Sequence, residues 1–196
     1  SPLPDWAEHL PLPLGLLSAD TINTVSNGYA QEMLTPEFGA NLEGFLQTRK
    51  ADLHGILNGL DQDSWDPETD PDLPHNYSRG SLDQRRENKR SLLKELDLDP
   101  DPDRPLLAMI NRMDHQKGVD LVPDALRMTA DQDWQAVVLG TGDPGLEAAA
   151  RDLDRELPRV RSVLRYDGAL ARRIYAGSDL MLIPSRYEPC GLTQMI

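Results

Sequence analysis

The chain has 196 residues, and 20 Lys+Arg against 33 Asp+Glu give it a formal net charge of −13. So acidic a chain repels the phosphates of nucleic acid and of anionic lipid, so neither a nucleic-acid nor a membrane partner is expected, and an anionic ligand needs a local cationic pocket. No apolar run approaches the ~20 residues that cross a bilayer, and the one cysteine, Cys190, excludes a disulfide framework and points to a reducing compartment.

Residues 1–19 hold four prolines and alternate Leu with Pro, which predicts an irregular surface segment. A strand over 22–26 follows, with Ser26 or Asn27 as the N-cap of a helix through Tyr29, Ala30 and Met33. Leu42, Phe45 and Leu46 fall at helical spacing within 40–51, and 53–57 read as a strand closed by the turn signal Asn58-Gly59. From 61 to 80 Asp, Pro, Glu and Ser dominate, as in a linker or a long ordered connection. Residues 81–96 predict a charged helix with Leu82, Leu92, Leu93 and Leu96 as its apolar face. The prolines of 97–105 then break the pattern. The start at Ser1, without Met or a signal pattern, and the stop just after 191–195, which read as the opening turn of a helix, are expected of a piece of a longer protein.

Beyond Pro105 the pattern is regular. Strands over 106–110, 135–139, 160–164 and 180–183 alternate with helices around 119–126, 144–156 and 169–176, Pro123 fitting only in a first turn. This predicts an α/β fold with right-handed βαβ units in a parallel sheet, and ligand chemistry in the loops after Ile110, Leu139, Leu164 and Ile183.

The first of these loops places Arg112 and Lys117 beside a helix start, which suits a phosphate; two solvated loop charges is the competing reading. In the second, Gly140-Thr141-Gly142-Asp143-Pro144-Gly145 matches the dinucleotide motif G-x-G-x-x-G. It lies in the second βα unit rather than the first, however, and Pro144 stiffens the turn, so a tight turn near the ligand is the better reading. The acids of 61–72 lack the Gly and Glu of a calcium loop and read as a solvated acidic loop. The four His and Cys190 show no zinc spacing, and no G-x-S-x-G is present. The last loop sets Glu188 just before a Gly-containing turn, an acid beside free backbone N–H groups. Such a pairing suits a ligand with a hydroxyl-rich end and a phosphate end, such as a sugar nucleotide; Glu188 as a helix cap is the alternative.

These stretches together resemble one family. Thr24-Val25-Ser26 with Tyr29-Ala30, the run 34–39 and Gly55-Ile56-Leu57-Asn58-Gly59-Leu60-Asp61 are similar to the end of the first domain of bacterial glycogen synthases and plant starch synthases. Trp65-Asp66-Pro67 with Thr69-Asp70, Asn88-Lys89, Arg112 with Gln116-Lys117-Gly118, and Leu139-Gly140-Thr141-Gly142-Asp143 continue the similarity in collinear order. It ends in Pro184-Ser185-Arg186-Tyr187-Glu188-Pro189-Cys190-Gly191-Leu192-Thr193-Gln194, whose Glu-Pro-Cys-Gly-Leu-Thr-Gln run is specific to this group.

The resemblance implies a GT-B glycosyltransferase, with parts of two Rossmann-like parallel-sheet domains and an active site in the cleft between them. Residues 1–60 would be the C-terminal edge of the N-terminal, acceptor-side domain, 61–103 a hinge connection and helix, and 104–196 the first part of the nucleotide-sugar-binding domain. The implied reaction is retaining transfer of glucose from ADP-glucose, or UDP-glucose in some relatives, to the non-reducing end of an α-1,4-glucan. No metal or other cofactor is expected, because cationic side chains and helix N-termini stabilise the leaving diphosphate.

By position, Arg112 and Lys117 look like the pair that holds the diphosphate, and Glu188 like the essential acid at the donor glucose. The N–H groups of Gly191, Leu192 and Thr193 would meet the phosphates, with Gly142 and Cys190 also in the substrate site. Tyr166 resembles the aromatic on which adenine stacks, and Asn58 a residue near the glucose. No residue stands out as a nucleophile on the other sugar face, which favours front-face attack by the acceptor hydroxyl. Ile196 stands where related transferases often carry a second Glu, which fits the starch and glycogen synthase branch. The family's Lys-x-Gly-Gly-Leu loop and its later Gly-rich loop lie outside the 196 residues. The chain alone is therefore expected to be inactive, a non-catalytic nucleotide- or glucan-binding piece being the alternative. A bacterial source implies the cytoplasm, a plant source the plastid.

Overall fold

A computed structural model of the chain describes residues 2–196. It divides into two compact units, one formed by the residues up to Leu60 with Pro189–Ile196, the other by Asp61–Glu188. Residues 61–103 thus fall with the second unit, and 189–196 with the first.

In the first unit, β1 (Ile22–Val25) and β2 (Leu53–Ile56) form a parallel pair, with α1 (Pro11–Ser18), α2 (Asn27–Glu32) and α3 (Glu43–Thr48) around it. Their core is Leu3, Ala7, Ile22, Leu34, Leu42, Phe45 and Leu46. Two local expectations meet different outcomes. Ser26 does cap α2, its hydroxyl accepting from the Tyr29 N–H at 3.1 Å. The Leu-Pro alternation, expected to be irregular, instead opens α1. Its first helical bond is donated by Leu14, so Pro11 and Pro13 both occupy the first turn, where no N–H is called for.

The second unit is a four-stranded sheet of order β5-β4-β3-β6, parallel throughout, formed by β3 (Leu106–Ile110), β4 (Gln135–Leu139), β5 (Val160–Val163) and β6 (Leu180–Met181). Helices α4 (Gln84–Glu95) and α7 (Gly168–Gly177) cover one face, α5 (Val122–Met128) and α6 (Pro144–Glu156) the other. Successive strand residues point to opposite faces. Accordingly Ala136 and Val138 join the core with Val122, Leu126, Leu146 and Leu153, while Val137 and Leu139 join Leu92, Leu93, Leu170 and Ile174. Burial on both faces is why β4 is an unbroken apolar run after Gln135. β6 is shorter than the four residues expected. Leu182 still donates to the Ala108 carbonyl at 2.7 Å, but Pro184 has no N–H with which to continue.

Leu82, assigned to the apolar face of the charged helix, precedes α4 and is 57% exposed; α4 buries Asn88, Lys89, Leu92 and Leu93. The acidic stretch also differs from a solvated loop. Asp70 is 7% exposed and pairs at 2.7 Å with Arg172 of α7, whose guanidinium lies 4.4 Å from the Trp65 ring centroid. Asn88 grips the His75 backbone through both its amide oxygen and its nitrogen. The connection is therefore fastened to two helices.

At the N-terminal edge of the sheet the buried Lys89 ammonium donates to the Arg104 carbonyl at 2.7 Å and to Asp179 at 2.5 Å, and the same Asp179 oxygen accepts the Leu106 N–H. Removing the acid strands a buried cation, whereas removing the cation leaves a carboxylate that is already half exposed. Asp179→Ala should therefore cost on the order of 2–3 kcal/mol and Lys89→Met less. Chemical-denaturation midpoints check the order, and a larger loss in Lys89→Met would contradict it.

Candidate active site

The sheet order runs outward from β3 through β4 to β5, then returns to place β6 on the other side of β3. At such a reversal the loops leaving neighbouring strands diverge and open a crevice beyond their carboxyl ends. Here those loops are residues 111–118 after β3 and 182–188 after β6.

The two loops are pressed together. Gly118 has φ +65°, and a Cβ on it would lie 2.1 Å from the Pro184 carbonyl oxygen, so conformation and space both demand glycine. The Arg186 N–H donates to the Gln116 carbonyl at 2.8 Å, and its guanidinium to the His115 carbonyl and, by both terminal nitrogens at 2.7 Å, to Asp120. With the backbones so held, Lys117 Nζ lies 2.7 Å from Glu188 Oε2, an oxygen that also accepts from the Ser185 hydroxyl at 3.0 Å. Both members of this pair are largely buried. Arg112, 67% exposed, pairs through Nε with Asp114, and Asp114 Oδ1 accepts the Lys117 N–H at 2.9 Å.

The second loop of the G-x-G-x-x-G pattern is closed upon itself. Glu147 takes the Gly142 N–H and the Thr141 hydroxyl, while Asp143 takes the N–H groups of Gly145 and Leu146. The amides that would cradle a pyrophosphate are spent on capping α6, which removes the physical basis of a dinucleotide reading. Gly142 instead forms a parallel bridge with Met113, whose carbonyl oxygen would lie 2.4 Å from an added Cβ. Its amide is held by Glu147, and its lack of a side chain lets the β3–β4 ladder run on. Tyr166, 89% exposed, stands beyond the carboxyl end of β5 beside Asp167, the N-cap of α7.

Four of the remaining site residues lie close together in sequence in the first unit. The Cys190 thiol donates to the Asn58 carbonyl at 3.9 Å. Gly191, at φ +74°, leads into Leu192–Gln194, a single 3-10 turn in place of the expected α-helical opening, with Leu192 and Thr193 as its first two residues. Among the described residues no group of three or more His, Cys, Asp or Glu is placed to hold a metal ion, and no helix is long and apolar enough to cross a membrane. The sequence pattern assigns no role to Asp114, Asp120, Ser185 or Arg186. Only Asp114 had a local signal, an Asp three residues before the N–H it accepts, the spacing of a side-chain cap.

Residues 94–195 match the family Glycosyl transferases group 1, and residues 5–48 the Starch synthase catalytic domain family. The chain is 47% identical over 182 residues to a glycogen synthase of Thermosipho africanus, covering 92% of this chain and 38% of that protein. It is 50% identical over 185 residues to a glycogen synthase of an Anaeromyxobacter species, covering 94% and 39%. The catalytic domain of starch synthase IV from Arabidopsis thaliana, solved with ADP and acarbose, superposes with a TM-score of 0.87 at 40% identity, over 93% of this chain and 38% of that one. The chain thus spans about two-fifths of the length of the relatives it matches.

The bond from Arg186 holds the Asp120 carboxyl down at about 2 from an ordinary 3.8, against the opposing effect of burial. A depressed carboxyl contributes its stabilisation above the ordinary value and loses it as pH falls through the folded one. The loop latch should therefore be intact above pH 3.8 and open as the pH passes about 2. In Arg186→Ala the Asp120 carboxyl carbon should titrate by NMR near the ordinary value. An unmoved midpoint would show that Arg186 does not hold Asp120.

Proposed function

We propose that this chain, which belongs to the glycosyl transferases of group 1 and among them to the glycogen and starch synthases with their GT-B α/β fold, carries the donor-binding part of a retaining glucosyltransferase. Its donor is ADP-glucose and its acceptor the non-reducing end of an α-1,4-glucan. The Asp61–Glu188 unit is the nucleotide-sugar side and the strand pair with its helices the edge of the acceptor side. The observation that carries the reading is the half-buried Lys117–Glu188 pair at the sheet's reversal, with Arg112 on the same loop. ADP in the starch synthase IV structure supports adenine rather than uracil in the donor. The bacterial relatives and the free thiol of Cys190 support a cytoplasmic setting.

In this reading Arg112 and Lys117 take the diphosphate, the first through a planar fork and the second as a point charge. Glu188 accepts hydrogen bonds from hydroxyls of the donor glucose and thereby fixes the ring. The bond between the anomeric carbon and the phosphate oxygen breaks, and its electron pair stays on the diphosphate, where the two cations offset the developing charge. The acceptor hydroxyl attacks from the face the diphosphate leaves, and its proton passes to the departing phosphate oxygen, so the configuration is kept. Tyr166 offers its exposed ring to the adenine. Within the strand-pair unit, Gly191, Leu192, Thr193, Asn58 and Cys190 are the further substrate-binding candidates.

The test is transfer of radiolabelled glucose from ADP-glucose into glycogen by a protein carrying this chain. Incorporation from ADP-glucose well above that from UDP-glucose is expected; nucleotide binding without incorporation would favour a non-catalytic role. Arg112→Ala and Lys117→Ala should each remove about 2–4 kcal/mol of transition-state stabilisation, and a loss in kcat/KM below about tenfold would count against their role at the diphosphate.

A further inference from the structure

We infer that Asp114 is the positioning residue of the diphosphate site, one carboxylate that aims Arg112 and Lys117 together; the inference rests on the role proposed above for those two cations. Its two oxygens do different work. Oδ2 takes Arg112 by Nε, and Oδ1 takes the backbone N–H of Lys117 at 2.9 Å. The Asp114 N–H bonds back to the Arg112 carbonyl at 3.0 Å, folding the acid under the arginine it holds. The side chain is 28% exposed against 67% for Arg112, so the acid is the sheltered partner and the guanidinium the presented one. Burial pushes the Asp114 carboxyl up, but the Lys117 N–H and the Arg112 ion pair outweigh it and hold the group below its ordinary range.

This arrangement solves a problem created by the loop itself. Two long cationic side chains within six residues repel each other and sample many rotamers, and a ligand that orders them bears that entropy. Asp114 screens the repulsion and fixes the Arg112 fork through Nε alone, leaving its two terminal nitrogens, with four N–H donors, to an incoming phosphate. Through Lys117 it also shapes the turn that ends at Gly118, from which the lysine side chain departs toward Glu188. The carboxylate is nonetheless an anion near an anion site. Its geometry helps the ligand while its charge opposes it, and two substitutions separate its two contacts.

Asp114→Asn keeps an oxygen for the Lys117 N–H but turns an amide donor toward Arg112 Nε, so by calorimetry it should bind ADP less tightly than the parent and more tightly than Asp114→Ala. Asp114→Ala drops both contacts and should weaken ADP binding about tenfold, with the urea midpoint recorded for each variant to confirm folding. Because Asp114 acts through Arg112, the factor lost in Asp114→Ala should shrink at least threefold when Arg112→Ala is already present. An undiminished factor in that background, parent-like binding by Asp114→Ala, or equal losses in Asn and Ala variants would each overturn the inference while leaving the proposed function standing. A parent chain that does not bind ADP, or Arg112→Ala and Lys117→Ala variants that bind it undiminished, would overturn both.

Discussion

A single crowded contact sets the geometry of the candidate site: the Gly118 α-carbon passes so near the Pro184 carbonyl that no side chain fits between them. Gly118 ends the loop leaving β3, and Pro184 lies in the loop leaving β6, where it stops that strand's ladder. Their apposition brings the Arg186 backbone to Gln116 and the Arg186 side chain to Asp120, and these bonds fix where Glu188 can stand. The Lys117–Glu188 pair is the last step of that sequence. A parallel sheet supplies the divergence of the two loops, and the glycine limits it.

The charge of −13 takes on a different meaning beside this geometry. Around the reversal, cations and acids are matched: Arg112 with Asp114, Lys117 with Glu188, Arg186 with Asp120. The excess of acid lies in segments such as 61–72 and 97–103, where carboxylates accept turn N–H groups or, at Asp70, an arginine. These three pairs therefore leave the reversal with little net charge of its own. At the proposed diphosphate site an anion would have to draw Lys117 from Glu188, whereas Arg112 could keep Asp114 at Nε and turn its terminal nitrogens outward.

How much of this was readable in the sequence depended on how local each cause is. The strands at 106–110 and 135–139 stood out because burial on both faces leaves no polar alternation to disguise them. The Ser26 cap and the first-turn place of Pro123 follow from rules spanning three or four residues. The same kind of rule fails at α1, where proline reads as a breaker although both prolines fall in the turn that tolerates them. Leu82 was misplaced because a helix start moved by three residues takes a leucine off the apolar face. Lys117 and Glu188 were each singled out, yet their bond joins residues 71 positions apart, and Arg186 reaches Asp120 across 66. No spacing argument sees such a pair. The family resemblance supplied roles for individual residues, and the fold alone showed which of them touch.

The three tryptophans end up in three different surroundings. Trp6, half exposed, lies in the first unit; Trp65 is stacked beneath Arg172 and edge-on to Tyr175; Trp134 is buried in the second unit with Arg159 over its ring. Indole emission shifts with polarity and is altered by an adjacent cation, so the chain carries one optical reporter for each of its parts. Its unfolding can be followed without a label, Trp6 reporting on the first unit and Trp65 and Trp134 on two places in the second.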